Sequence, residues 1–257
     1  MPPLTNPCAS PGWPRRFPLP RGVTTSTPPR PSRRPTRVPH SVGPVPEPTV
    51  RTLAVVSAGL SQPSSTRLLA DKLATATLTR LHDENVETRL LTFELRDYAQ
   101  DVMNNMLTGF ASPRLQTMID AVTTADGLIA VTPIFTTSYS GLFKSFFDVL
   151  DNRALTDQPV LIGATAGTAR HSLALDYALR PMFTYLHAVV VPTSVFAASE
   201  DWGSGDGRGR VATLPARIER AAGELAALVA RSDRSARVQD PFELPAGFNP
   251  AGSGLSR

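Results

Sequence analysis

The sequence has almost no cysteine, since Cys8 is the only one among 257 residues. A single cysteine cannot form a disulfide within the chain, which excludes a small disulfide-stabilised domain. The histidines are scattered as well, and no cluster of Cys and His has the spacing of metal ligands. They are His40, His82, His171 and His187. We therefore expect no metal site and a reduced, cytoplasmic chain.

Long hydrophobic runs are also missing. A membrane-spanning helix needs roughly 18 consecutive apolar residues, and no segment approaches that length. The N-terminal arginines are not followed by the apolar segment of a signal peptide. We expect neither membrane insertion nor secretion, and no membrane partner.

Acidic residues are scarce in the first 48 residues, where seven arginines are opposed only by Glu47. That segment has a net charge of +6 while the whole chain has +4, so residues 49–257 have −2. The basic isoelectric point therefore comes from the N-terminal segment. It gives no support to a nucleic-acid-binding face on the folded part.

Residues 1–48 are rich in proline and have no apolar clusters, which predicts disorder with some polyproline II structure. An arginine-rich arm for nucleic acid and a proline-rich ligand, PRPSRRP, are the functional interpretations. We favour an inert extension or a start codon placed too far upstream. Residues 233–257 also lack periodicity, and we expect them to be mostly irregular, with Phe242, Leu244 and Phe248 available to attach them to a surface.

Between residues 49 and 232, apolar β-branched runs alternate with segments of helical periodicity. The expected strands are 50–57, 86–95, 127–133, 158–166 and 188–196, and the expected helices are 64–81, 114–125, one within 140–151, one around 171–187, and 214–230. Strict alternation implies right-handed crossovers and a parallel, doubly wound α/β sheet of five strands. One domain accounts for this segment.

Ligands of such sheets bind beyond the carboxyl ends of the strands, so the loops at those ends are candidate sites. The loop after the first strand is crowded with hydroxyl groups and leads directly into a helix. Its candidate residues are Ser57, Gly59, Leu60, Ser61, Ser64, Ser65 and Thr66. Backbone access at Gly59, the hydroxyls and the free NH groups of the helix N-terminus suit a phosphate. Alternatively, the serines only cap the helix.

This loop has neither a Walker motif nor a GxGxxG pattern, which disfavours nucleoside triphosphates and the usual dinucleotide fingerprint. A monophosphate held by neutral donors remains. Arg67 is interpreted as a charge on the helix surface.

The loops after the third and fourth strands are also unusual. The third strand runs into TPIFTTSYSG (132–141), followed by Leu142, Phe143, Lys144 and Asp148, and the fourth runs into TAGTARHS (165–172). Phe135 and Tyr139 have a simpler interpretation as core or interface aromatics. Lys144 and Asp148 are spaced as an i,i+4 ion pair.

These motifs resemble the flavodoxin-like NAD(P)H-dependent FMN reductase family over about residues 51–231. The likeness lies in a strand ending in Pro, a variable residue, an aromatic and a polar residue, followed by Gly-x-x-Lys and an Asp four residues on. Ser64-Ser65-Thr66-Arg67 with the following Leu-Ala matches the phosphate loop of that family. Ile134 and Thr136 depart from the Glu or Gln and the Asn of many members. The TPIF and SYSGLFK segments are more similar to the subgroup that partners luciferase-like flavin monooxygenases.

The resemblance implies a flavodoxin-like, three-layer αβα fold with strand order 2-1-3-4-5. It implies FMN with its phosphate on Ser61, Ser64, Ser65 and Thr66, its flavin edge against Pro133, Ile134, Phe135 and Thr136, and its pyrimidine near Thr165, Gly167 and Thr168. The implied reaction is hydride transfer from NADPH or NADH to N5 of FMN, with reduced flavin supplied to a two-component flavin monooxygenase. The cofactor supplies this chemistry, so no catalytic side chain is expected.

Other functions remain open on the sequence. An enzyme that keeps FMN bound could reduce a quinone or an azo dye. A flavodoxin-like electron carrier usually has a strongly acidic face, which a net charge of −2 disfavours. A non-catalytic binding module would act through the arginine- and proline-rich segment.

We expect a homodimer or homotetramer. The side chains of Phe143, Phe146, Phe147 and Leu150 occupy more than one helix face, and the resemblance implies dimers or tetramers. The alternative is that all four belong to the core.

Overall fold

The computed structural model of the chain describes residues 50–203, 212–232 and 234. The segment 1–48, for which the sequence predicts disorder, lies outside these ranges. So does the predicted irregular tail apart from Arg234.

The strands form one sheet built around three buried parallel strands. In chain order they are β1 (Arg51–Ser57), β2 (Thr88–Glu94), β3 (Gly127–Phe135), β4 (Ser138–Tyr139), β5 (Pro159–Ala166), β6 (Val189–Val190) and β7 (Val195–Ala198). The parallel order is β2-β1-β3-β5-β6, with β7 also paired to β5. This confirms the flavodoxin-like order, because β5 is the predicted fourth strand and β6 with β7 the predicted fifth.

Two details of the predicted sheet are wrong. The fifth strand, predicted as 188–196, is two short pieces, because Pro192 has no NH and the NH of Thr193 donates to the Glu224 carboxylate instead of to β5. In addition, β4 pairs antiparallel with β3 and forms a hairpin at its end.

The helices cover both faces of the sheet. They are α1 (Ser65–Asp83), α2 (Ala99–Thr108), α3 (Pro113–Thr124), α4 (Gly141–Asp148), α5 (Arg180–Tyr185) and α6 (Leu214–Val229). Along β1, Leu53 and Val55 face the core under α1 and α6, whereas Ala54 and Val56 face the core under α2 to α5. This alternation is the period of a β-strand, and it produces the expected three αβα layers.

Two helical segments differ from prediction. A 3-10 turn, Leu95–Tyr98, begins at the last residue of the predicted second strand, and with α2 it occupies a stretch for which no helix was predicted. The helix predicted around 171–187 is a 3-10 turn, Ala169–His171, a π-helical turn, Leu175–Leu179, and the short α5.

The aromatic residues of α4 all belong to the core. Phe143, Phe146, Phe147 and Leu150 are buried, and the rings of Phe143 and Phe147, like those of Phe147 and Phe183, have centroids 4.8 Å apart. Because Phe183 of α5 covers the second face of α4, these side chains are not available to an interface. The argument for oligomerisation drawn from them is therefore wrong.

Within the described ranges, no helix is both long and apolar enough to cross a membrane. The same residues contain no group of three His, Cys, Asp or Glu side chains arranged to hold a metal ion.

Candidate functional site

A cleft of about 430 Å³ opens at the carboxyl ends of β1, β3 and β5, where the three candidate loops meet. Ten of the fourteen candidate residues line it: Gly59, Leu60, Ser61, Ser65, Thr66, Pro133, Ile134, Phe135, Thr165 and Gly167. The other four, Ser57, Ser64, Thr136 and Thr168, do not. The cleft therefore brings together a hydroxyl-rich loop and an apolar strand end.

The hydroxyl-rich loop ends where α1 begins. Ser64 is the N-cap, and its Oγ accepts a hydrogen bond from the NH of Arg67 at 3.2 Å, so for Ser64 the capping role is confirmed. Ser65 and Thr66 follow in the first turn, where backbone NH groups have no acceptor within the helix. The Ser65 hydroxyl is exposed on the cleft and makes no hydrogen bond to the described part of the chain. The start of α1 thus offers free donors to an anion.

Contacts within this part of the site hold the loop in place. A Cβ on Gly59 would lie 1.9 Å from Ser64 Oγ, so a larger residue there would have to displace the Ser64 side chain. The hydroxyls of Thr66 and Thr165 are 2.8 Å apart and buried, which joins the start of α1 to the end of β5. The Ser61 hydroxyl donates to the carbonyl of Pro63 at 3.1 Å.

The positive charges beside the loop are already paired. Arg67 donates to Asp71 and to Glu94, at 2.8 Å in each case. The hydrogen bond to Asp71, together with the negative charges of Asp71 and Glu94, raises the pKa of Arg67 above its ordinary value. Arg96 contacts the other Glu94 oxygen at 3.0 Å and donates to the carbonyl of Ser61 at 3.3 Å. Arg67 is therefore a surface charge, as predicted, and neutral groups face the cleft.

The β3–β4 hairpin forms the apolar side of the cleft. Its two loop residues, Thr136 and Thr137, have φ of 48° and 71°, the left-handed backbone that a two-residue hairpin loop requires. The buried Thr132 hydroxyl accepts from the NH of Ser140, the N-cap of α4, at 3.1 Å. This bond fixes the hairpin against α4.

The aromatic and charged residues near this hairpin have separate roles. Phe135 is 49% exposed and lines the cleft, so it is not a core residue. Tyr139 is half-buried, and its ring centroid lies 6.2 Å from that of Phe143 in the core. Lys144 and Asp148 form the predicted ion pair, with Nζ 2.5 Å and 2.6 Å from the carboxylate oxygens.

Three further residues line the cleft and were not predicted: Ala166, Ser199 and Trp202. Ser199 and Trp202 belong to a 3-10 helix, Ser199–Trp202, that follows β7. They were missed because only the loops after the first, third and fourth strands were considered. Applying the same rule to the end of the fifth strand would have found them.

The residues present fit a flavin mononucleotide. The Ser57 side chain is 1% exposed and its Oγ has no hydrogen-bond partner in the described structure. Ser57 does not line the cleft, and the donors that face it are the Ser65 hydroxyl and the α1 amides, neutral groups that suit a phosphate monoester. Pro133, Ile134 and Phe135 offer the apolar surface that a flat ring system needs.

Comparisons with known proteins show the family to which the chain belongs. Residues 51–203 match the family model described as NADPH-dependent FMN reductase. An FMN reductase (NADPH) from Pseudomonas aeruginosa is 36% identical over 150 residues, which cover 58% of this chain and 78% of that protein. The NADH-dependent FMN reductase SfnE from Pseudomonas putida is 34% identical over 174 residues, covering 68% and 90%. The chain therefore belongs to the NADPH-dependent FMN reductase family.

Solved structures support the same fold. An oxidoreductase from Corynebacterium diphtheriae is 50% identical with a TM-score of 0.67, covering 70% of this chain and 97% of that one. The apo form of the NADH:FMN oxidoreductase EmoB is 27% identical with a TM-score of 0.59, covering 69% and 89%.

Proposed function

We propose that this chain is an FMN reductase that transfers hydride from NADPH or NADH to FMN held in the cleft. FMN, when bound, supplies the acceptor atom, N5 of its ring system. The observation that carries the proposal is the meeting of a neutral phosphate cradle and an apolar strand end in one cleft of a family member.

The phosphate end of the cleft is assigned to the first loop and the start of α1. Ser61, Ser65 and Thr66 line it, together with Gly59 and Leu60. Ser64 caps α1, and Ser57 is buried at the end of β1. Because Arg67 and Arg96 are held in ion pairs, hydroxyl and amide donors meet the phosphate.

The ring end is assigned to the hairpin and to the loop after β5. Pro133, Ile134 and Phe135 line the cleft and would contact the ring. The backbone at Thr136, the next residue along the hairpin, is assigned to the ring edge. Thr165, Gly167 and Thr168 are assigned to the pyrimidine edge. The role assigned to these residues is to bind and orient the flavin and to shield its ring from water. No side chain is needed as a nucleophile, because hydride transfer requires none.

The proposed fate of the reduced flavin is transfer to a two-component flavin monooxygenase. The TPIF and SYSGLFK segments support this, since they are similar to the subgroup with such partners. A flavin that is a substrate separates from the protein during gel filtration, whereas a flavin kept for a quinone or azo acceptor co-elutes.

We also propose a homodimer or homotetramer. Large apolar side chains outside the core support it: Leu107 is 78% exposed, Phe110 80% and Tyr177 79%. Light scattering on the eluting peak measures the mass, and a monomer at micromolar concentration would contradict it.

Equilibrium binding of FMN and of riboflavin, which lacks the phosphate, tests the site. Removing one donor to a charged group costs about 1.5–3 kcal/mol, so Ser65→Ala weakens FMN binding roughly 10- to 100-fold and leaves riboflavin binding unchanged. Phe135→Ala weakens both ligands. Thr117→Ala, which removes an exposed hydroxyl of α3, is the matched control and changes neither. Equal effects of Ser65→Ala on both ligands would refute the phosphate assignment.

A further inference from the structure

Trp202 lines two neighbouring spaces. One is the flavin cleft, and the other is a groove of about 670 Å³ between α1 and α6. On the α1 side the groove is lined by Asp71, Lys72 and Thr75, and on the α6 side by Ile218 and Glu219. Trp202 therefore lies where the cleft and the groove meet.

The meeting point lies at the phosphate end of the cleft. Ser65 and Thr66, in the first turn of α1, line the cleft, whereas Lys72 and Thr75, farther along the same helix, line the groove. At 1.5 Å per residue, Thr66 and Lys72 are only about 9 Å apart along the helix axis. A ligand extended beyond the phosphate would thus run from the cleft into this groove, past Trp202.

Trp202 is held in a fixed position. The carboxylate of its neighbour Asp201 accepts from Arg217 at 2.7 Å and from the NH of Ala198 at 2.8 Å. Arg217 also donates to the carbonyl of Phe196 at 2.5 Å. The indole itself packs against the core beneath α1 and α6. The 3-10 helix that carries it is thereby attached to both β7 and α6.

We propose that Trp202 restricts the flavin to the mononucleotide by separating the cleft from the groove. FMN ends at its phosphate, whereas FAD continues from that phosphate into an adenylate group. The groove is large enough for that group, and Lys72, which has no ion pair among the described residues, provides positive charge for its second phosphate. This inference rests on the proposed function.

The test compares kcat/KM for FMN and for FAD as acceptors in the full-length protein. The wild type prefers FMN by about tenfold or more, and Trp202→Ala lowers that preference by about tenfold through a gain with FAD. Trp202→Phe, with a smaller ring, gives an intermediate ratio. Adding Thr75→Trp to Trp202→Ala refills the groove and restores the preference, which mere loss of stability would not do.

Several outcomes overturn the inference. An unchanged ratio in Trp202→Ala would do so, as would equal use of FMN and FAD by the wild type, a result that needs no variant to fold. If FMN is reduced and only the ratios disagree, the proposed function stands and this inference fails. If the wild type reduces neither flavin, both fail.

Discussion

Gly59 shows how a single residue shapes the candidate site. The position that a Cβ would occupy is filled by the Ser64 side chain, whose oxygen would be 1.9 Å away. The sequence suggested that this glycine lets a ligand approach the backbone. The structure shows that it lets the cap of α1 approach the loop.

Gly59→Ala should displace Ser64 and with it the cap of α1. Loss of a serine N-cap costs about 0.5–2 kcal/mol of unfolding free energy, and FMN binding weakens because the loop moves. Urea unfolding and FMN titration measure the two effects. Since the severe collision is with the Ser64 side chain, Gly59→Ala in a Ser64→Gly background should cost less further stability than in the wild type, with only Thr66 Cβ, 3.2 Å from the new Cβ, still to adjust. A full additional loss there would contradict the explanation.

The matched control is Gly223→Ala in α6, where a Cβ meets nothing within 4 Å. Glycine in a helix interior is less favourable than alanine by roughly 0.5–1 kcal/mol. This variant should therefore be more stable than the wild type.

Glu224 links stability to pH. Burial raises the pKa of its carboxyl, but hydrogen bonds from the NH and hydroxyl of Thr193, with that from Arg220, outweigh burial, so the pKa lies below its ordinary 4.5. A lowered carboxyl pKa in the folded state stabilises the protein above the unfolded-state pKa. That stabilisation is lost as the pH falls through the folded-state value.

Glu224→Gln should lower the unfolding free energy by about 1–2 kcal/mol at neutral pH. Below the folded-state pKa the wild-type carboxyl is protonated too, so the two proteins should converge. Urea unfolding at about pH 7 and at successively lower pH measures the difference. A difference that does not depend on pH would show that the charge of Glu224 plays no part.

At the scale of elements, the β3–β4 hairpin is built with an unfavourable loop. Two-residue hairpin loops favour Asn-Gly, whereas this one has Thr136 and Thr137, both at positive φ. Such conformations cost β-branched residues of the order of 1–3 kcal/mol.

Thr137→Gly should therefore raise the unfolding free energy by about 1 kcal/mol. Thr117→Gly, in the interior of α3, is the opposite control and should lower it by a few tenths of a kcal/mol, roughly the difference between the helix propensities of threonine and glycine. Thermal and urea unfolding measure the change in unfolding free energy for both variants. Destabilisation by Thr137→Gly would mean that its side chain contributes more than its backbone conformation costs.

Elements with one consistent signal could be predicted from the sequence. β1, β3 and β5 are continuous apolar runs because they are buried on both faces. α2 was missed although its apolar residues have helical spacing and share one face. They are Ala99, Val102, Met103, Met106 and Leu107. Of these, Val102 is buried, whereas the two methionines and Leu107 are exposed. The faces of α4 could not be assigned from the sequence, because Phe183 lies 36 residues beyond Phe147 in the chain.

The candidate site, too, could be predicted only in part from the sequence. That three loops converge follows from strand order alone, since the carboxyl ends of parallel strands share one edge. Which side chains line the cleft depends on local geometry. Ser64 is used as a cap, and Ser57 is buried beneath the loop. Trp202 lies on a short 3-10 helix that no periodic sequence pattern predicted.

At the scale of the whole molecule, ligand binding and anchoring lie at opposite ends of the sheet. The Arg234 guanidinium donates to the carbonyls of Thr123, Ala154 and Thr156, which precede the amino ends of β3 and β5. Burial lowers its pKa, while the charges of Asp157 and Asp126 act to raise it. The group thus ties the chain beyond α6 to the end remote from the cleft.

Arg234→Ala should lower the unfolding free energy by about 2–3 kcal/mol, because three carbonyls lose a charged donor. FMN affinity should not change, the reverse of the result expected for Ser65→Ala. Urea unfolding and FMN titration on the same preparations check both. A marked loss of FMN binding in Arg234→Ala would show that the two ends are coupled.

The most direct measurement is the visible absorption of FMN with a catalytic amount of the protein, followed without oxygen as NADPH or NADH is added. We expect rapid bleaching of the flavin band with at least one of the two nucleotides, far above the protein-free rate. Bleaching no faster than without protein, together with no FMN binding, would contradict the claim that the cleft is the site of a flavin reductase.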